Sequence, residues 1–254
     1  NTAPETTINW GPDPQYYSST TAIFGFSANE SGCTFQGRLD NGSWSTITSS
    51  HTITGLSQGS HTYQIRATDA AGNTDSTPAS WTFDIDSIPP DVPTLTSPSN
   101  GEYLNDTTPT LTWTAVNDAA CYVIQVDQTP SYSSPIVSTT STTNSVTTST
   151  LPQGTYYWRV KSEDLACNAS SYSGSRVFFI DTTAPNPPPH SSPSNGSYTN
   201  NTGQSFSWGS TGGNYYQIQI DNNSDFSSPV VDQYRTGNGY TPSGGTFSTG
   251  TYYW

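Results

Sequence analysis

Methionine is missing from this chain, lysine occurs once, at Lys161, and 6 Lys or Arg residues face 19 Asp or Glu. The resulting net charge of −13 repels phosphate backbones and acidic lipid headgroups, so neither nucleic-acid binding nor attachment to a membrane surface is expected. Such a surface favours solubility or divalent cations. Long apolar runs are also lacking, and nothing approaches the length that spans a bilayer, so no membrane insertion is expected in this segment. The single lysine falls on the presumed wet face of a strand, which speaks against lysine-based isopeptide crosslinks. Only three histidines occur, His51, His61 and His190. They are scattered, with no nucleophile signature and no glycine-rich phosphate loop after a strand, so the chain is not expected to be an enzyme. The three cysteines, Cys33, Cys121 and Cys167, have no histidine beside them in sequence, which argues against zinc. Asn1 opens the chain without a methionine or a secretory leader, so a processed or partial product of something longer is expected.

What is abundant is Ser and Thr, about a third of the chain, together with 7 Trp, 16 Tyr and 9 Phe. A solvated, disordered tail would not carry so many aromatics. They recur at matching places, and small Thr-rich β domains with aromatic anchors account for them better. The stretch Gly154-Thr-Tyr-Tyr-Trp-Arg-Val-Lys-Ser-Glu-Asp164 places Tyr156, Trp158 and Val160 on one parity and Tyr157, Arg159 and Lys161 on the other. That alternation predicts a strand with one face on a core. A looser copy runs from Gly59 to Asp69, with Tyr63, Ile65 and Ala67 in the apolar register, and a third begins at Gly250. Asp69 and Asp164 lie 95 positions apart and Gly154 and Gly250 lie 96 apart, about the length of one β-sandwich. The expected fold class is therefore all-β, with domains at 1–86, 87–181 and 182–254. The third domain lacks its last strands, and either the chain continues past Trp254 or a neighbouring chain supplies them.

Within the first domain, Ile23 to Phe26, Phe35 to Leu39, Tyr63 to Ala67 and Trp81 to Ile85 read as strands, with Asp40-Asn-Gly42 as a hairpin turn. The run Phe35 to Trp44, the turn Gly55-Leu-Ser-Gln-Gly59 and the segment Arg66 to Asp75 resemble bacterial immunoglobulin-like repeats of large secreted and cell-surface proteins. Many such repeats carry a cysteine pair where this chain has Gly37 and Ile47, so this copy must hold its core without that staple. The second domain resembles a bacterial fibronectin type III-like module through Leu111-Thr-Trp113, Tyr122-Val-Ile-Gln-Val-Asp127 and the turn Leu151-Pro-Gln-Gly154. That family often places a corner tyrosine after such a turn. Alternation points Tyr156 inward rather than Tyr157, and the corner is left open between them. The third domain repeats the second: Ser192 to Gly196 echoes Ser97 to Gly101, and Phe206-Ser-Trp208 echoes Leu111-Thr-Trp113.

The resemblance also frames the candidate chemistry. In an immunoglobulin-type sandwich the loop before the last strand shares an end with the entering linker. Asp164 and Asn168 should then approach Asp86 and Asp91, with Asn117 and Asp118 in a third loop of that end. Clustered carboxylate and amide oxygens suit calcium, and repeats of this kind often bind it at their junctions. The alternative is that these residues only make and cap turns. Cys121 and Cys167 would lie at that same end, either bridged or as separate thiols. Asn-X-Ser/Thr sequons at Asn29, Asn41, Asn105, Asn168, Asn195, Asn200 and Asn222 permit glycosylation of a secreted chain.

Proline-rich joints, Ile88 to Pro93 and Ala184 to Pro189, should act as semi-rigid spacers and favour an elongated array. The expectation is a non-catalytic extracellular or cell-surface module, a rod-like spacer or fibre subunit of a microbial adhesin, stalk or filament. Its partners would be neighbouring domains of the same chain or other copies in a fibre. The rival expectation is an accessory carbohydrate-binding or spacer region of a secreted polysaccharide-degrading enzyme. It rests on Tyr16, Tyr17, Tyr172, Tyr234 and Tyr240, which fall outside the assigned cores and could stack on surface glycans.

Overall fold

The computed structural model describes residues 2–254, which form β-strands and no α-helix. Two compact units separate at Thr182 and Thr183. The first unit opens with β1 (Thr6–Trp10), β2 (Ala22–Ala28), β3 (Thr34–Leu39), β4 (Ser45–Ile47), β5 (Ser50–Ile53), β6 (Gly59–Thr68) and β7 (Ala79–Ile85). These make one sheet of order β1-β2-β5 and another of order β4-β3-β6-β7. The period-two pattern decides their facing: Tyr63, Ile65 and Ala67 of β6 point inward, and Tyr63 and Ile65 share one core with Phe24 and Phe26 of the other sheet and Phe83 of the adjacent β7. Asp40 (φ 47°) and Asn41 (φ 59°) lie between β3 and β4, and the Gly42 amide donates to the Leu39 carbonyl at 2.8 Å. Two successive left-handed residues give the twist a tight hairpin requires.

Gly37 shows how this core does without a cysteine staple. A Cβ added there would overlap the Tyr63 hydroxyl and would lie 2.7 Å from its Cζ and 3.1 Å from Ile47 Cδ1. The phenol ring from the paired strand β6 fills the space beside Gly37 and Ile47. Its hydroxyl is buried without a hydrogen-bond partner, and burial pushes its pKa up to about 12.

The same unit continues with β8 (Leu95–Ser97), β9 (Glu102–Leu104), β10 (Thr110–Trp113), β11 (Cys121–Asp127), β12 (Val137–Ser141), β13 (Ser145–Thr147), β14 (Gly154–Glu163) and β15 (Arg176–Ile180). They form a three-stranded sheet, β13-β10-β8, facing a five-stranded one, β12-β11-β14-β15-β9. Trp113, Tyr156, Trp158, Val160 and Phe178 are buried between the sheets. The organising stretch is thus the central strand β14, with its alternate residues inside as its sequence requires. On the outer side Arg159 lies between the rings of Tyr132 and Tyr172, at 4.0 and 4.1 Å. In the preceding sandwich Trp44 lies between Arg38 and Arg66, at 4.6 and 4.2 Å. Such stacks brace the wet face with little apolar burial.

The second unit holds β16 (His190–Ser192), β17 (Phe206–Trp208), β18 (Tyr216–Ile220), β19 (Val231–Arg235) and β20 (Gly239–Tyr240), in sheets β16-β17-β20 and β18-β19. Phe206, Trp208, Tyr216, Ile218, Ile220 and Val231 form its core, with Phe247, Tyr252 and Trp254 packed alongside. Asp221 and Tyr253 exchange backbone hydrogen bonds at 3.0 and 2.8 Å. This repeats the Asp127–Tyr157 pairing of β11 with β14.

One corner position links all three copies. The Tyr156 hydroxyl donates to the Pro152 carbonyl at 2.7 Å, four residues back. This is a tyrosine corner, and it settles the choice between Tyr156 and Tyr157. Ninety-six positions on, the Tyr252 hydroxyl accepts from the Ser248 amide at 3.2 Å, again four residues back. In the first copy the position is His61, whose Nε2 donates to the Ser57 carbonyl at 2.9 Å while Nδ1 meets Asp40 Oδ2 at 2.7 Å.

Candidate metal centre

Two loops follow one local plan. Asn73 donates its backbone amide to Asp69 Oδ1 (2.8 Å) and its side-chain amide to Asp69 Oδ2 (2.7 Å), and the Asp69 amide donates to the Asn73 carbonyl (3.0 Å). Asn168 and Asp164 make the same three bonds at 2.8, 2.9 and 3.1 Å. An aspartate closing a five-residue loop on an asparagine is a turn device in its own right. The Asn73 side chain, followed by its backbone amide, holds the Asp69 carboxyl below its ordinary value. Gly72 sits just before the asparagine of the first loop at φ 88°, and its counterpart in the second loop, Cys167, takes φ 64°.

The second loop carries more than a turn. Asn168 Nδ2 also donates to the Asp86 carbonyl at 2.8 Å, and Ser162 Oγ donates to the Asp91 carbonyl at 2.7 Å. The entering segment is thereby tied to the end of β14. The structure brings carboxylate oxygens of Asp86, Asp118 and Asp164 within 4.8 Å of one another. Asp164 is 5% exposed, Asp86 half-buried and Asp118 exposed. Neither of the two ion pairs found among the described residues, His61–Asp40 and Lys161–Glu163, involves any of the three. A buried carboxylate beside two others, with no cationic side chain, is an arrangement that a bound cation would relieve.

The donor set fits a hard cation. Calcium takes oxygens at roughly 2.3–2.6 Å, so ligand oxygens on opposite sides of it lie about 5 Å apart, which three oxygens within 4.8 Å satisfy. An all-oxygen set with no thiolate or imidazole suits calcium or magnesium rather than zinc. Two of the sequence candidates stand differently. Asn168 turns its amide nitrogen toward the Asp164 carboxylate and the Asp86 carbonyl, which orients Asp164 and the linker. Asp91 lies outside the carboxylate cluster and contributes only its backbone carbonyl, to Ser162.

The cysteine bridge considered from sequence is not made, and Cys33, Cys121 and Cys167 are all free. Cys121 Sγ turns to Glu163 Oε2, 4.0 Å away on the paired strand, while Cys167 is exposed in the left-handed turn. Burial, and then the Glu163 carboxylate, raise the Cys121 pKa, which keeps it a thiol and a poor nucleophile. The Asn168 sequon is also spent, because both contacts of its amide nitrogen are internal.

One contact imitates a catalytic triad: Ser57 Oγ lies 3.3 Å from His61 Nε2, with Asp40 on the other ring nitrogen. The shorter Nε2 contact is to the Ser57 carbonyl, so that nitrogen is a donor and has no lone pair for a serine proton. Acceptors on both sides of the ring favour its protonated form. Burial lowers the His61 pKa, but the Asp40 hydrogen bond, the Ser57 carbonyl and the charges of Asp40 and Asp84 outweigh it, and the net shift is upward. A group that binds its proton more tightly when folded stabilises fully below its unfolded pKa of about 6.5, and that contribution fades as pH rises through the folded value. The melting temperature of the first sandwich should therefore fall as pH rises above about 6.5. His61→Tyr should restore an ordinary corner and remove the slope in a calorimetric pH series. A slope that persists in His61→Tyr would refute this assignment.

Residues 96–182 match the family described as bacterial Ig-like domain, a class defined by two facing sheets around buried aromatics. Domains of this class are typically non-catalytic. Among solved structures, the fibronectin(III)-like modules of Clostridium thermocellum CbhA are similar at 17% identity, covering 69% of this chain and 94% of theirs with a TM-score of 0.44. No curated protein matches the chain.

Proposed function

We propose that this chain is a non-catalytic extracellular structural module, a spacer or fibre segment of a microbial surface adhesin, stalk or filament, whose first joint is stiffened by calcium. The observation that carries this reading is the anchored linker: Asp86 and Asp91 are bonded to Asn168 and Ser162, and the carboxylates of Asp86, Asp118 and Asp164 converge beside those bonds. A flexible tether would have no use for such bonds, whereas a spacer that must hold a fixed angle does. Asp86, Asp118 and Asp164 would hold the ion, which would supply charge neutralisation and no chemistry.

Adding millimolar calcium to chelator-treated protein should raise the melting temperature by several degrees, as expected for a ligand that binds only the folded state. Asp118→Gly is the informative variant. Asp118 takes φ 67°, and Gly212, also four residues ahead of the matching tyrosine, takes φ 82°, so glycine removes the carboxylate and keeps the turn. The response should vanish in Asp118→Gly. No calcium-dependent change in the parent protein would remove the ion from the proposal. The spacer role is tested separately, by small-angle scattering, and a compact particle in solution would overturn it.

A further inference from the structure

We propose that the outer face of β18 and β19 is a binding platform for a neutral glycan. In β18, Tyr216, Ile218 and Ile220 point into the core, which leaves Gln217 and Gln219 outside. Antiparallel pairing sets Tyr234 of β19 directly opposite Gln217 and Asp232 opposite Gln219, so all four share one face. Gln217 Nε2 donates to Asp232 Oδ1 at 2.8 Å and Gln219 Nε2 to Asp232 Oδ2 at 3.2 Å. The carboxylate is held flat by two amides, with a lone pair free on each oxygen. Beside it stand Tyr234, 70% exposed, and Tyr215, 71% exposed just ahead of β18. A groove of about 220 Å³, lined in part by Pro185, Pro188, Tyr215 and Gln217, runs alongside.

The fold does not require this set. The matching positions of the second sandwich are Val123, Gln125, Ser138 and Thr140, in the same register, and the Gln125 amide oxygen there is taken by Arg159. An exposed phenol ring next to fixed amide and carboxylate groups is suited to a pyranose: the ring meets the C–H face of the sugar, and the polar row meets vicinal hydroxyls. Acidic sugars are disfavoured by Asp232 and by the net charge of −13. The cation of this hairpin, Arg235, pairs with the inward Tyr216 and stacks on Tyr240, away from the face.

Affinity gel electrophoresis of the whole chain in soluble neutral β-glucan, xylan and mannan, with polygalacturonate as the acidic control, tests the proposal. At least one neutral polysaccharide should retard migration and polygalacturonate should not. Tyr234→Ala should weaken retardation at least tenfold, Tyr234→Phe should retain most of it, and Thr140→Ala, at the matching position, should leave it unchanged. Unaltered melting of Tyr234→Ala would confirm that the exposed ring does not serve the fold. Retardation by none of the neutral polysaccharides, or equal retardation of Tyr234→Ala, overturns the proposal. Either result leaves the spacer reading untouched, since that rests on the first unit.

Discussion

Replacing Trp158 by alanine should destabilise the second sandwich by about 3–5 kcal/mol, the usual cost of removing a large core aromatic. Trp158 is 0% exposed, at the centre of β14 between β11 and β15, and touches the core that includes Trp113, Tyr156 and Phe178. Its indole Nε1 is buried without a partner, so no hydrogen bond is lost and the whole penalty is packing. Domains of this size hold about 5–15 kcal/mol in total, so such a loss would leave the sandwich marginal at physiological temperature. Calorimetry reads it directly. The transition of the second sandwich should drop by well over ten degrees, since each kcal/mol shifts such a domain by roughly 4–8 °C. The second unit, with its own core around Trp208, should melt as before. A shift of only a degree or two would mean that Trp158 is not where this domain buries its apolar surface.

Gly37→Val should cost about 3 kcal/mol, at the upper end of what overpacking a core usually costs. The new side chain would meet the Tyr63 hydroxyl, its Cζ and Ile47 Cδ1, on a strand whose partners on both sides fix its backbone. Tyr63→Phe by itself should be neutral or slightly stabilising, because the hydroxyl it removes is buried and unpaired. In the double variant the phenylalanine should recover part of the loss, giving a coupling of about 1 kcal/mol in a denaturant-unfolding cycle. Additive effects would show that Gly37 and Tyr63 do not compete for the same volume.

Much of the fold was legible in local pattern. Tyr63, Ile65 and Ala67, and again Tyr156, Trp158 and Val160, alternate with polar residues because successive side chains of a strand face opposite ways, and that period needs no partner to be read. The hairpin at Asp40 and Asn41 was legible for the same reason, since few residue types accept a left-handed backbone. The role of His61 was not. Its parity says only that it points inward. That it replaces a corner tyrosine emerges from its bond to the Ser57 carbonyl, matched by Tyr156 to Pro152. A comparison of the two turns at a spacing of 95 would have found it. Of the tyrosines outside the expected cores, Tyr172 covers Arg159 and Tyr240 lies under Arg235, while Tyr234 stays open. Residue type is the same in each case, and whether an arginine from elsewhere in the fold stacks on the ring makes the difference.

Strand period, repeat length and the acid-rich loops were determined by the amino-acid sequence alone, because each follows from backbone geometry and composition over a few neighbouring residues. Tertiary structure decided which acids meet, placing Asp86, Asp118 and Asp164 together and leaving Asp91 out. It also decided that Cys121 faces Glu163 rather than Cys167, and that a phenol ring fills the space beside Gly37. Those outcomes depend on how loops from distant parts of the chain are brought to one end of a sandwich. Side chains 32 and 78 positions apart, as in Asp86 with Asp118 and with Asp164, meet only once that packing exists.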